Sequence, residues 1–117
     1  MDSESKREPM KTFGKIISEA RKALGLSQKE LAARIKKEDG ESISPQYLND
    51  IEHDRRNPPG EPMIEQLAKE LNLAKDFLCI AAGAVPQDIQ DALIAAGPEK
   101  AEAVVKAFRR DAQRKQK

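Results

Sequence analysis

The stretch from Ser42 to Pro59, S-I-S-P-Q-Y-L-N-D-I-E-H-D-R-R-N-P-P, leaves the backbone few choices at its start. Pro45 fixes its own φ near the helical value and lacks the N–H that a first helical residue does not use. Ser44 before it supplies a side-chain oxygen for the free N–H groups of the first turn, and Ile43 is placed to staple onto Leu48. A helix therefore opens at Ser44. At about 100° per residue, Leu48 and Ile51 fall on one side, while Gln46, Asn49, Asp50 and His53 fall on the other. That outer face carries amides and carboxylates but no Lys or Arg. Asn and Gln can form paired hydrogen bonds with adenine in a major groove, so the face has the chemistry of a base reader. An amide-rich solvent face is the alternative reading of the same residues.

The rest of the chain is also helical in pattern. Residues 1–9 have the composition of a disordered tail ending at Pro9. Thr12 caps a first helix with the apolar stripe Phe13, Ile16, Ile17, Ala20 and Leu24, stopped by Gly25. Ser27-Gln28-Lys29-Glu30 fits a capping box and opens a second helix with Leu31, Ala32 and Ile35 inward. Lys36 to Ser42 is a polar loop turning at Asp39-Gly40. After the Ser44 helix comes an arm, His53 to Gly60, holding Arg55, Arg56 and Asn57 and stiffened by Pro58-Pro59. A fourth helix starts near Glu61-Pro62 and buries Ile64, Leu67, Ala68 and Leu71. A fifth, Lys75 to Ala82, puts Phe77, Leu78 and Ile80 in or near the core. No stretch alternates with period two for long enough to make a strand, so the expected class is all-α.

Beyond residue 83 the pattern changes. Ile89, Leu93 and Ala96 align after Pro86, and Gly97-Pro98 breaks the segment. A last helix carries Ala101, Val104, Val105, Phe108 and Ala112 on one stripe. Two amphipathic helices appended to a complete five-helix unit must cover those stripes, on their own domain or on a second copy. The basic end, Arg114 to Lys117, reads as solvated.

Charge and chemistry narrow the function. The 117 residues carry 21 basic and 20 acidic side chains, a net of +1, so no broad basic field marks a nucleic-acid binder. Residues 27–60 hold six basic and seven acidic side chains. Any DNA-facing surface must then come from local placement of charge. Cys79 and His53 are the only residues of their kinds. Neither a disulfide framework nor a metal cluster nor a His-based triad can be built from them, and Cys79 in an apolar run reads as a buried, inert thiol. No Gly-rich phosphate loop is present. The sequence therefore gives no catalytic residues, no metal ligands and no cofactor. The polar N-terminus lacks an apolar signal core, and the longest apolar run, Phe77 to Val85, is less than half of the roughly 20 residues that span a bilayer. A cytoplasmic protein without membrane contact is expected.

The order of these residues is recognisable. F-G-K-I-I-S-E-A-R-K-A-L-G-L-S-Q-K-E-L-A-A-R-I, I-S-P-Q-Y-L-N-D-I-E, R-R-N-P-P and I-E-Q-L-A-K-E-L-N-L together resemble the Cro/C1-type (xenobiotic-response-element) helix-turn-helix family over roughly residues 12–82. The resemblance implies a five-helix, lambda-repressor-like DNA-binding domain at 10–83, and the two-helix extension at 84–117 lies beyond it. It implies a transcriptional regulator, a repressor before an activator, that reads double-stranded DNA with the third helix and works as a homodimer, for which the apolar stripes of residues 84–117 are the expected interface. Gln46, Asn49 and Asp50 match base-reading positions. Gln28, Arg55, Arg56 and Asn57 match positions that hold the DNA backbone; Ser27 at the start of the second helix and Tyr47 at the edge of the reading face are expected to join them. Arg21 and Glu52 match a structural salt bridge between the first and third helices.

Three departures stand out: seven residues, Lys36 to Ser42, where the family has a tight turn; Asp54 where Gly is usual; and the acids Asp50, Glu52 and Asp54 beside a DNA-facing surface. A second reading gives an antitoxin-like or adaptor protein, whose C-terminal helices bind another protein and whose DNA contact is secondary.

Overall fold

The computed structural model describes residues 11–115, with side chains as far as Gln113. Among them are seven helices: α1 Phe13–Ala23, α2 Gln28–Arg34, α3 Pro45–Glu52, α4 Glu61–Leu71, α5 Lys75–Ala81, α6 Gln87–Ala96 and α7 Pro98–Lys115. The class is all-α, as the sequence led one to expect. The expected disordered tail, residues 1–9, lies outside the described residues, as do Gln116 and Lys117. The chain divides into two compact units, Met1–Ala84 and Val85–Lys117.

In the first unit α1, α2 and α3 each start where a side chain can satisfy a free N–H group, whereas α4 and α5 start at Gly60 and Ala74 without one. Thr12 Oγ1 accepts from Lys15 N at 3.1 Å, and Ser44 Oγ accepts from Tyr47 N at 3.0 Å. The Ser27–Glu30 capping box closes in both directions, at 3.0 and 2.8 Å. Helix α1 ends in a Schellman turn: Gly25 sits at φ 73°, and Leu26 N donates to Arg21 O at 3.1 Å. Asn72, also left-handed, turns α4 into α5.

The core of this unit runs through Phe13, Ile17, Leu31, Ile35, Ile43, Leu48, Ile51, Ile64, Leu67, Leu71 and Leu78, all buried. Cys79 is buried too, and burial pushes its thiol above the ordinary value, which disfavours the reactive thiolate. Three residues expected inward are not. Leu24 lies at the exposed C-cap of α1, while Phe77 and Ile80 are 51% and 64% exposed. Helix α5 buries only its Leu78–Cys79 side, so the flank bearing Phe77 and Ile80 stays open. With Ile16, Ala20, Leu73 and Ala81 those two line an apolar concavity of about 650 Å³.

The seven residues between α2 and α3 do not form a loose loop. Lys36 and Ser42 pair as an antiparallel bridge, Lys37 N donates to Glu41 O at 2.8 Å, and Gly40 turns the chain at φ 88°. At the base of this miniature hairpin, Ile43 N donates to Ile35 O at 2.9 Å. The insertion thus leaves and returns at one point, and the two isoleucines meet the core as they would across a short turn. Gln66 of α4 secures the hairpin by accepting from Lys36 N at 2.8 Å and donating to Lys36 O at 2.9 Å.

Helices α1 and α3 touch where Gly14 leaves no side chain between them. A Cβ at Gly14 would stand 2.6 Å from the Glu52 carbonyl oxygen and 2.7 Å from Asp54 Oδ1. In the second unit, α6 and α7 pack on each other around half-buried Leu93, Ala101 and Ala107. Ile89, Ile94, Val104, Val105 and Phe108 remain exposed.

Helix propensity alone would favour Gly14→Ala by up to about 1 kcal/mol. The close approach of α1 to α3 reverses that sign. The variant should lose about 1–3 kcal/mol of stability in a denaturant melt, as overpacked sites do. An unchanged or raised melting point would contradict the contact.

Candidate nucleic-acid interface

The orientation of α3 is set from its buried side. Leu48 and Ile51 enter the core, and Glu52 meets Arg21 of α1 in a two-pronged ion pair, Nε to Oε2 at 2.6 Å and Nη2 to Oε1 at 2.9 Å. Both residues are buried, at 8% and 6% exposure. The third guanidinium nitrogen, Nη1, donates to the Leu26 carbonyl at 2.8 Å, an oxygen that the Schellman turn of α1 has delivered. A buried charge pair survives only when its remaining hydrogen-bonding capacity is met. Among the described residues no buried side-chain nitrogen or oxygen lacks a partner.

Gln28, first residue of α2, extends this network to the surface. Its Nε2 donates to Glu52 Oε1 at 2.9 Å and to Asn49 Oδ1 at 3.0 Å. An amide nitrogen has two hydrogens, so both are taken up. Whatever Gln28 offers a phosphate must come from the backbone N–H end of α2, where the helix dipole is positive. Ser27 is exposed beside it, with its hydroxyl already accepting from Glu30 N.

On the outer side of α3, Gln46 is exposed and Asn49 and Asp50 are half-buried. Gln46 Nε2 donates to Asp50 Oδ1 at 2.9 Å. The same oxygen takes Arg55 Nε at 3.2 Å, and Arg55 N donates to Asp50 O at 2.8 Å. Arg56 stacks over the Tyr47 ring, 4.1 Å from its centre, and Asn57 is exposed in the same arm. The arm after α3 therefore folds back along the helix. His53, grouped with the outer face by spacing, instead caps α3, its Nδ1 2.9 Å from Asn49 O.

The acidity of this region proves to be internally matched. Glu52 faces Arg21, and Asp50 faces Arg55. Asp54 occupies the left-handed conformation at φ 58°, where the sequence departs from Gly. Its carboxylate accepts from Thr12 Oγ1 at 2.6 Å and from Gly14 N at 3.1 Å. A negative group at the start of α1 also suits the helix dipole. Sequence reasoning missed this second role of Asp54, together with Gln66 and Gly14. A Gly early in a helical pattern, as at Gly14, is the one signal that could have revealed the close crossing.

Two short helices joined at a tight point, the second held by its inner face with a polar outer face, define the helix-turn-helix class. A helix-turn-helix family model matches residues 17–78, just over half of the chain, and the chain belongs to that family. It therefore carries a DNA-binding helix-turn-helix domain. No curated protein and no solved structure matches it. No helix among the described residues is long and apolar enough to cross a membrane.

Removing one partner of a buried pair leaves the other charge uncompensated. Arg21→Ala should cost about 3–5 kcal/mol and lower the melting temperature together with duplex affinity. A variant that keeps its melting temperature and loses only binding would place Arg21 on the DNA instead.

Proposed function

We propose that the protein is a sequence-specific, dimeric transcriptional regulator, acting as a repressor on a two-fold operator that α3 reads from the major groove. The observation that carries the reading is the division of α3. Leu48, Ile51 and Glu52 are buried, whereas Gln46, Asn49 and Asp50 lie toward solvent. Arg55, Arg56 and Asn57 beside that face supply backbone contacts, with Tyr47 and the α2 terminus at Ser27 and Gln28 on its flanks. Backbone groups give most of the affinity and the base-facing groups most of the discrimination. DNA as the partner would set the protein's work in the cytoplasm.

The homodimer is assigned to residues 84–117. Support comes from the apolar side chains that α6 and α7 leave exposed, Ile94 at 70% and Phe108 at 71% among them. A unit of this size rarely holds a stable core alone, and a second copy offers the same apolar surface under two-fold symmetry. The same surface is what an adaptor would use on another protein.

A salt titration of duplex binding separates the two readings. The regulator should show log K falling linearly with log salt, and Arg56→Ala should shallow the slope by about one for each subunit bound. A flat response would favour the adaptor. In sedimentation, the intact chain should be a dimer and Phe108→Glu a monomer. That variant should bind paired half-sites, one helical turn apart, at least about a hundredfold more weakly. A monomeric intact chain would remove the dimer from the proposal.

A further inference from the structure

We infer that Asp50 is a positioning residue, which fixes the amide of Gln46 for base reading and ties it to the backbone-gripping Arg55. The inference rests on α3 being the reading helix and names how one of its contacts is set.

Gln46 near the start of α3 is exposed, and a long exposed side chain ordinarily samples many rotamers and both amide orientations. Here its Nε2 donates to Asp50 Oδ1 at 2.9 Å, one helical turn on. An ionised carboxylate only accepts hydrogen bonds. The amide must therefore turn its nitrogen toward Asp50, and its oxygen cannot take that place. One N–H and the carbonyl oxygen are left over, a donor and an acceptor side by side. That pair matches N7 and N6 of adenine. The rotamer is set before DNA arrives.

Asp50 Oδ1 also receives Arg55 Nε at 3.2 Å, and the Asp50 carbonyl receives Arg55 N at 2.8 Å. The contact engages the inner nitrogen of the guanidinium and leaves its two terminal amino groups for a phosphate. The positive charge beside Asp50 offsets the repulsion that a bare carboxylate would meet from DNA. One oxygen thus holds a base-reading group and a backbone-gripping group in register.

The test is selection of bound duplexes from a random pool by the full chain, with Gln46→Ala, Asp50→Ala and the double variant in parallel. The base pair whose preference disappears in Gln46→Ala identifies what Gln46 reads, and adenine is expected there. Asp50→Ala should erase preference at that same base pair, a loss of about tenfold. The double variant should lose nothing more there. Melting temperatures establish that the variants fold. Should Asp50→Ala fail that check, the near-isosteric Asp50→Asn, which lets the Gln46 amide turn either way, should relax the same base pair. A folded Asp50 variant that keeps the Gln46 preference, or loses preference at a different base pair, overturns the positioning role and leaves base reading by α3 standing. An intact protein that selects no sequence at all overturns both.

Discussion

The ion pair between Arg21 and Glu52 holds the first unit's surface in order. It joins the end of α1 to the end of α3 inside the fold, where an unpaired charge would be prohibitive. Its geometry depends on neighbours that are themselves constrained. The Schellman turn presents the Leu26 carbonyl to Arg21, the next residue caps α2, and Gln28 then reaches Glu52 and Asn49. The direction of α3 and the placement of Asn49 therefore follow from one buried contact. At the far end of the same crossing, Asp54 receives Thr12 and Gly14, so α3 is fastened to both ends of α1.

This arrangement tolerates an insertion that would otherwise separate the two helices of the motif. A flexible seven-residue connection would let α3 swing. The hairpin closes on itself at Ile35 and Ile43, and Gln66 grips Lys36 from α4. The extra residues add surface without lengthening the junction. The same economy of placement resolves the charge problem. A region with more acids than bases can still suit a DNA-facing role when Asp50, Glu52 and Asp54 each have an internal partner and Arg56 rests on Tyr47.

Local chemistry was readable in the chain because it acts over three or four residues. Thr12, Ser27 and Ser44 marked helix starts, Gly25 a stop, and the apolar stripes gave the core face of α2 and α4. The left-handed turn at Asp54 is legible only through the resemblance, in which Gly is usual at that place. What stayed hidden acts across the fold. Nothing near Gln66 in sequence says that it will bond Lys36, and nothing near Asp54 says that it will cap a helix 40 residues earlier. Leu24, Phe77 and Ile80 misled because apolar periodicity reports which side could be covered, not whether anything covers it. The pairing of Arg21 with Glu52 came from family resemblance, since spacing could not distinguish it from other charge pairs.

The central claim is that the outer face of α3, steered from within, meets the DNA. The most direct measurement is a nitrogen-15 NMR titration of the full chain with a selected duplex, following the side-chain amides of Gln28, Gln46 and Asn49 and the backbone of Arg55 to Asn57. The account predicts that these signals shift together and saturate with the duplex, while those of α5 and the α6–α7 pair move little. Saturable shifts confined to α6 and α7, with the α3 amides unmoved, would contradict it.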